Sequence, residues 1–322
     1  MIRYIGRRMA WALFVLVVIT SITFVIFFVM PPNDSVYERF THGAETAQAS
    51  EFTKDSLGLN KPVYIQYGLF MEHLFLGDRY GWPGLWFSFQ TRSALKPIIA
   101  NRAVVTAQLA VGAAFVWLLI GIPLGILSAL RPRSKTDRAS MAFALIAAST
   151  PVFFLGMIVL YVFWFKLGII PGAGYVPISD GFWPWISHMF VPWIVLAMLF
   201  AAYYARMSRA TMIEALSEDY VRTARGKGLS ERRVILRHAF RSAMMPLVTM
   251  FGMDLGALFG GAVITETVFN LPGLGAYAVQ SVRHTDLYAI VDITIVVAIA
   301  ITMMNLLVDI AYAWLDPRIR YT

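Results

Sequence analysis

Six stretches of the chain are apolar over about the 20 residues that a helix needs to cross a bilayer core of roughly 30 Å. They run over 9–30, 103–130, 139–165, 186–205, 242–265 and 287–315, the fourth being the weakest. Each predicts a transmembrane helix, with Pro151 predicting a kink in the third. The first follows Arg3, Arg7 and Arg8 as a secretory leader would, but its apolar run exceeds the roughly 7–15 residues of a leader. It ends at Pro31-Pro32 without a small-residue cleavage pattern, so it is expected to stay as a membrane helix.

The polar stretches set the orientation. With the N-terminus inside, 18 of the 27 Lys and Arg fall on one side: before the first span, in 131–138, in 206–241 and in the tail. Seven of the nine on the other side lie in 31–102, a segment longer than the roughly 60 residues beyond which loop charge stops steering topology. Both termini and the 206–241 loop are therefore expected in the cytoplasm. Segment 31–102 interleaves polar stretches with Tyr64, Tyr67, Phe70, Phe75, Trp82, Trp86 and Phe87, which suggests a small, partly interfacial subdomain outside, with a helix over 63–76. The expected division is a membrane helix at 1–30, an extracytoplasmic segment at 31–102 and a core of five helices at 103–322.

Composition agrees. Of 322 residues, 58% are apolar and 14% charged, and the mean hydropathy is +0.65, which excludes a water-soluble globule, a disordered chain and a collagen. Without cysteine there is no disulfide, thiolate nucleophile, cysteine-bound metal or iron-sulfur centre. The net charge of +8 is accounted for by the cytoplasmic loops, and no nucleic-acid partner is expected.

No engine is legible. Gly226-Lys227-Gly228 lacks the glycine spacing and preceding strand of a phosphate-binding loop, and neither H-E-x-x-H nor G-x-S-x-G occurs. The five histidines are scattered, and His188 and His238 read as structural. Asn33-Asp34-Ser35 matches a glycosylation sequon by a pattern short enough for chance. An intramembrane enzyme or an ion-coupled transporter would need a catalytic constellation or internal repeats with several buried ionisable groups.

The informative region is the 206–241 loop. Met212, Leu216, Tyr220 and Ala224 recur every four residues beside Ile213 and Val221, predicting one amphipathic helical stripe. Glu218 and Arg222 are placed to pair across a turn, Gly226 and Gly228 to break the helix, and Ser230 to cap a second one with Glu231 in its first turn. Periodicity leaves two readings open: the hairpin packs under the chain's own membrane helices, or its apolar face enters a groove on a soluble partner. Within the membrane, Gly252, Gly256 and Gly260 form a small-residue stripe on the fifth span, and Gly121 and Gly125 on the second, fit for close helix packing or a seam with another subunit. Asp254 lies mid-span, where a charge costs at least about 2.5 kcal/mol, and is expected to line a pathway or be paired. Asn305 and Asp309 share a face of the sixth span and suggest a structural hydrogen-bond cluster.

The run Tyr220-Val221-Arg222-Thr223-Ala224-Arg225-Gly226-Lys227-Gly228-Leu229-Ser230, followed by Arg237-His238-Ala239 and Pro246, resembles the EAA loop of the permeases of ABC importers for di- and oligopeptides. Further resemblances follow in order: Leu57-Gly58-Leu59-Asn60-Lys61-Pro62-Val63-Tyr64 with Gly77-Asp78, Ser149-Thr150-Pro151-Val152-Phe153, the run from Gly260 through Glu266 and Asn270-Leu271-Pro272-Gly273 to Gly275, and Asn305 to Asp309 with Asp316-Pro317-Arg318. The chain departs from the general motif in having Arg222, Thr223 and Ala224 where Glu-Ala-Ala stand, Gly226 where alanine is common, and Arg241 in place of a proline.

The resemblance implies an all-α permease of the type I importer fold with six membrane helices. Its long outer segment is similar to that of the B-type subunit. Implied partners are a second, C-type permease, two cytoplasmic ATPases, an extracytoplasmic binding protein and membrane lipid. The chain itself would need no cofactor, since ATP and Mg would bind the ATPases. Tyr220, Arg222, Ala224, Arg225, Gly228, Leu229 and Ser230 would form the docking loop. Relatives of this kind move dipeptides, oligopeptides, nickel complexes or oligosaccharides.

Overall fold

The computed structural model describes residues 2–30, 61–77, 81–88, 91–259 and 262–315. The sequon at Asn33, the resemblances over 57–60, Asp78, Gly260 and the 316–318 motif lie outside them.

Helix α1, Ile2–Phe24, runs on as a π turn over Val25–Val29, and α2 spans Val63–Leu76. Strands β1 (Phe87–Ser88) and β2 (Ser93–Ala94) form an antiparallel pair with Phe87 opposite Ala94. Then come α3 (Leu95–Leu130), α4 (Lys135–Ser149), α5 (Val152–Val159, continued as a π turn over Leu160–Lys166) and α6 (Phe182–Ser217). The chain continues as α7 (Asp219–Gly226), α8 (Glu231–Arg233, leading through a π turn over Val234–Ala239), α9 (Phe240–Phe259), α10 (Val263–Val268), α11 (Leu274–Arg283) and α12 (Leu287–Leu315).

Among the described residues four helices are long and apolar enough to cross a membrane: Gly6–Val29, Leu95–Leu130, Phe182–Ser217 and Leu287–Ile310. The expected third span is a broken pair, α4 and α5, bent by 99°, instead of one kinked helix. Pro151 is the cause: its ring disfavours helical backbone at the preceding residue, and Thr150 is extended with ψ 121°. Over the expected fifth span the described residues form α9 up to Phe259 and, past the non-helical Ala262, a separate helix from Val263. By length and composition, four of the described helices meet this test, or five with the bent pair, against the six expected. The helices expected at 63–76 and 287–315 stand at those positions.

The chain divides into two compact units, one of Met1–Thr106, Phe259–Val263 and Pro272–Thr322, the other of Ala107–Leu258 and Ile264–Leu271. In the first, the aromatic residues of α2 pack on α1: Phe70 lies 5.5 Å from Phe24 and 5.6 Å from Phe28 between ring centroids, and the Tyr67 hydroxyl meets the Ser21 hydroxyl at 2.7 Å. Tyr64 and Trp82 stay exposed. Two acidic residues hold the β-hairpin to this core. Asp292 accepts from the Trp86 amide at 2.8 Å, and Asp286 from the Ser88 hydroxyl at 2.5 Å. Asp309 of α12 pairs with Arg8 of α1 at 3.0 Å, and Asn305 lines the same cavity of about 150 Å³.

The second unit is built on the crossing of α3 with α6. A β-carbon on Gly121 would sit 2.8 Å from the Ala201 carbonyl oxygen, and one on Gly125 would collide with the Ser208 hydroxyl and lie 2.5 Å from the Ala205 carbonyl oxygen. The helices therefore touch backbone to backbone, and this small-residue stripe is used inside the chain.

Candidate functional site

Helix α6 has 36 residues and so is about 54 Å long, well beyond a bilayer core of roughly 30 Å. It exceeds that core by about 24 Å. The helix ends because Glu218 is extended, with ψ 147°. Met212 and Leu216 consequently lie on α6 while Tyr220 and Ala224 lie on α7, so the single stripe expected across 212–224 is two helices set at a break.

The apolar faces of the two helices meet the same cluster. Met212, Ala215, Val221 and Ala224 are buried with Ala129 of α3, Val234, Ala239 and Ala243, and Leu216 and Leu229 pack on the edge. Apolar burial thus anchors the hairpin under its own chain. Tyr220, Arg222, Thr223, Arg225, Lys227, Gly228 and Ser230 face outward. Of the residues expected to dock, Ala224 is 5% exposed and Leu229 half-buried, whereas Tyr220 is 41% exposed.

Local pairings differ from the expected ones. Arg222 reaches Asp219 at 3.5 Å on the same helix, since Glu218 sits in the break and offers its backbone carbonyl instead. Ser230 has the extended backbone of a cap, but its hydroxyl makes no capping bond; Glu231 instead receives Arg225 Nε at 2.8 Å, stapling α7 to α8 across the turn. Gly228 carries the turn with φ +74°, a conformation that suits glycine.

One polar cluster escaped sequence reasoning. Asp137 of α4 accepts from Arg209 of α6 through both oxygens, Nε at 2.7 Å and Nη2 at 3.0 Å, and from the Arg133 amide at 2.8 Å. The Ser128 hydroxyl of α3 also donates to it, and Ser134 caps α4 by accepting from the Asp137 amide. In the sequence Asp137 falls in 131–138, which reads as mere topogenic charge, and Arg209 lies 72 residues away, so no local spacing joins them.

Asp254 of α9 accepts from the Tyr204 hydroxyl of α6 at 3.0 Å. Trp117, fully buried, lies 5.9 Å from Tyr204 and 4.7 Å from Phe200 between ring centroids. The mid-span carboxylate is therefore half-buried and paired within the chain. Gly252 and Gly256 are buried, while Met253 and Ala257 beside them are exposed.

Family models match both parts of the chain. Residues 121–321 match the binding-protein-dependent transport system inner membrane component and residues 1–110 the N-terminal domain of such membrane components. The first of these matches covers more than half of the chain and defines it as a membrane component of a transport system, and solved structures share its fold. The chain is similar to one from an inward-facing MetNI methionine ABC transporter, with TM-score 0.54 at 19% identity over 69% of this chain and 98% of that one. An amino acid ABC transporter gives TM-score 0.50 at 17% identity over 68% and 94%. At such identities the likeness shows the fold, that of type I ABC importer permeases.

The chain belongs to the family of binding-protein-dependent transport system inner membrane components, and is a multi-pass inner-membrane protein. Among its relatives are a dipeptide transport system permease protein of Alkalihalophilus pseudofirmus, 34% identical over the whole of both chains, and a probable D,D-dipeptide transport system permease protein of Escherichia coli K12, 35% identical over 97% and 96%. A glutathione transport system permease protein of Escherichia coli O6:H1 is 36% identical over the whole of both.

Proposed function

We propose that this chain is one half of the membrane pathway of an ATP-driven importer for di- or oligopeptides, paired with a second, C-type permease. Two ATPases dock on the hairpin's outward face and supply ATP and Mg chemistry, and an extracytoplasmic binding protein delivers the peptide. The observation that carries this reading is the hairpin: its apolar side is buried in its own chain, and its charged side, with Tyr220, Arg222, Arg225, Gly228 and Ser230, projects beyond the length of a membrane helix. Ala224 and Leu229 contribute by fixing that surface from below.

On this reading both termini and the hairpin are cytoplasmic, as the 18 basic residues on that side favour. Residues 1–30 anchor the chain, 31–102 meet the outer face and 103–322 form the core. Asp254, held by Tyr204, borders the pathway. The exposed side of α9 at Met253 and Ala257 meets the partner permease, with Gly252 and Gly256 allowing the close packing behind it; Gly260 extends their stripe in sequence. Peptide cargo is favoured by relatives named for dipeptides and glutathione. The test is uptake of a labelled peptide panel by cells with and without the gene: vanadate-sensitive uptake that vanishes on deletion supports the reading, and uptake driven by an ion gradient alone overturns it.

A further inference from the structure

Resting on the importer reading, we propose that Asp137 is a positioning residue: its bonds to Arg209 and Ser128 lock the ends of α3, α4 and α6 beside the hairpin into one body, so that hairpin displacement moves all three. The bonds come from α3, α6 and the turn before α4 and converge on one carboxylate of α4 that is 5% exposed, with Ser128 fully buried. A two-toothed Arg–carboxylate contact fixes distance and angle, which an apolar contact does not. If the site served stability alone, well-packed apolar residues would do as well, because an ion pair repays its own desolvation poorly.

Its place in the chain gives the fixed geometry a use. Arg209 precedes the end of α6 at Ser217 by eight positions, or about 12 Å of helix. Between them Met212 and Ala215 carry the buried side of the hairpin, together with Ala129, the residue after Ser128. One turn further into α3, Gly125 abuts the Ala205 carbonyl and the Ser208 hydroxyl, leaving no room for α3 to slide on α6. The hairpin thus rests on a segment that the Asp137 bonds and the glycine contact hold from two sides. A push on α7 crosses one break, at Glu218, which the shared burial of Val221 and Ala224 with Met212 and Ala215 bridges, and so reaches α4 and through it the broken pair with α5.

The chain contains no cysteine, so a label pair introduced as Lys135→Cys and Arg232→Cys, both exposed positions, reports the distance from the α4 start to the hairpin. It is measured by pulsed electron paramagnetic resonance in the complex purified with its partner subunits, nucleotide-free and vanadate-trapped. The expected result is one distance in both states. With Asp137→Asn the distance should differ between states or broaden, and peptide taken up per ATP hydrolysed should fall about tenfold, a usual size for a coupling energy. ATPase retained per permease should be unchanged, and Ser128→Ala, which removes the α3 bond but keeps the Arg209 pair, should show a smaller effect in the same direction. A distance that changes between states in the unaltered chain overturns the proposal, as does Asp137→Asn with unchanged distance and uptake per ATP. Should Asp137→Asn fail to assemble, the two-state distance in the unaltered chain decides alone. An unaltered chain that carries no ATPase overturns the importer reading itself, before any variant is made.

Discussion

Substitution of Gly228 separates two reasons for a glycine in the hairpin turn. Its φ is +74°, and a β-carbon there meets nothing within 4 Å in this chain, so the cost of a side chain inside the chain is conformational. That cost is about 1–2 kcal/mol for an L-residue in the left-handed region, least for asparagine and greatest for β-branched residues. The turn is closed by Lys227 N donating to the Thr223 carbonyl at 3.0 Å and Leu229 N to the Ala224 carbonyl at 3.3 Å. Strain is relieved by opening these bonds and swinging Ser230 and Glu231 away from α7. A cost of about 1–2 kcal/mol depopulates the closed turn roughly 5–30-fold. In the purified complex, Gly228→Val should therefore lower retained ATPase and peptide uptake by about that factor at unchanged abundance in the membrane, while Gly228→Asn keeps most of both. Equal losses for the two variants would refute the conformational reasoning and indicate that a partner needs the space. Full docking and uptake with valine would refute docking at this turn.

Other substitutions test the packing and the pairs. Gly125→Ala should destabilise the solubilised chain by about 1–3 kcal/mol through overpacking against Ser208 and the Ala205 carbonyl; an unchanged thermal midpoint would contradict the backbone contact. Gly226→Ala should do the opposite, raising stability by about 0.5–1 kcal/mol, because the position is helical and open. Tyr204→Phe removes the donor to Asp254 and should cost about 1–3 kcal/mol, whereas Asp254→Asn retains an acceptor and should cost less; the reverse order in thermal midpoints would contradict the pairing. Asp309→Asn should cost less than about 1 kcal/mol, since its pair with Arg8 is 26% and 44% exposed, and a loss of several kcal/mol would show a role beyond that pair.

What was legible in the sequence is what local chemistry fixes. Long apolar runs place α1, α3, α6 and α12, because no other segment satisfies its backbone inside lipid. The aromatic spacing of 63–76 gives α2, and Gly226 with Gly228 gives the turn. The breaks were harder. A run of apolar residues through Pro151 reads as one span, since hydropathy carries no record of the backbone direction that Thr150 takes. The extended Glu218 is likewise invisible to a four-residue repeat that continues across it from Met212 to Ala224. Which side of the hairpin is free follows from tertiary packing: Val221 and Ala224 are buried by Ala129 and Val234, which the periodicity of α7 does not name. The pairs of Asp137 with Arg209 and Asp254 with Tyr204 join residues far apart in the chain, and only Asp254 drew attention, through the cost of a charge in mid-membrane.

The most direct measurement is to tag this chain in its native membrane, extract it in mild detergent and identify by mass spectrometry what accompanies it. A second permease and ABC ATPases in near-equal amounts, lost together when Tyr220, Arg222 and Arg225 are replaced by Ala, is the result expected of a hairpin that docks an engine. The chain recovered alone, stable and still transporting peptide, would contradict that role.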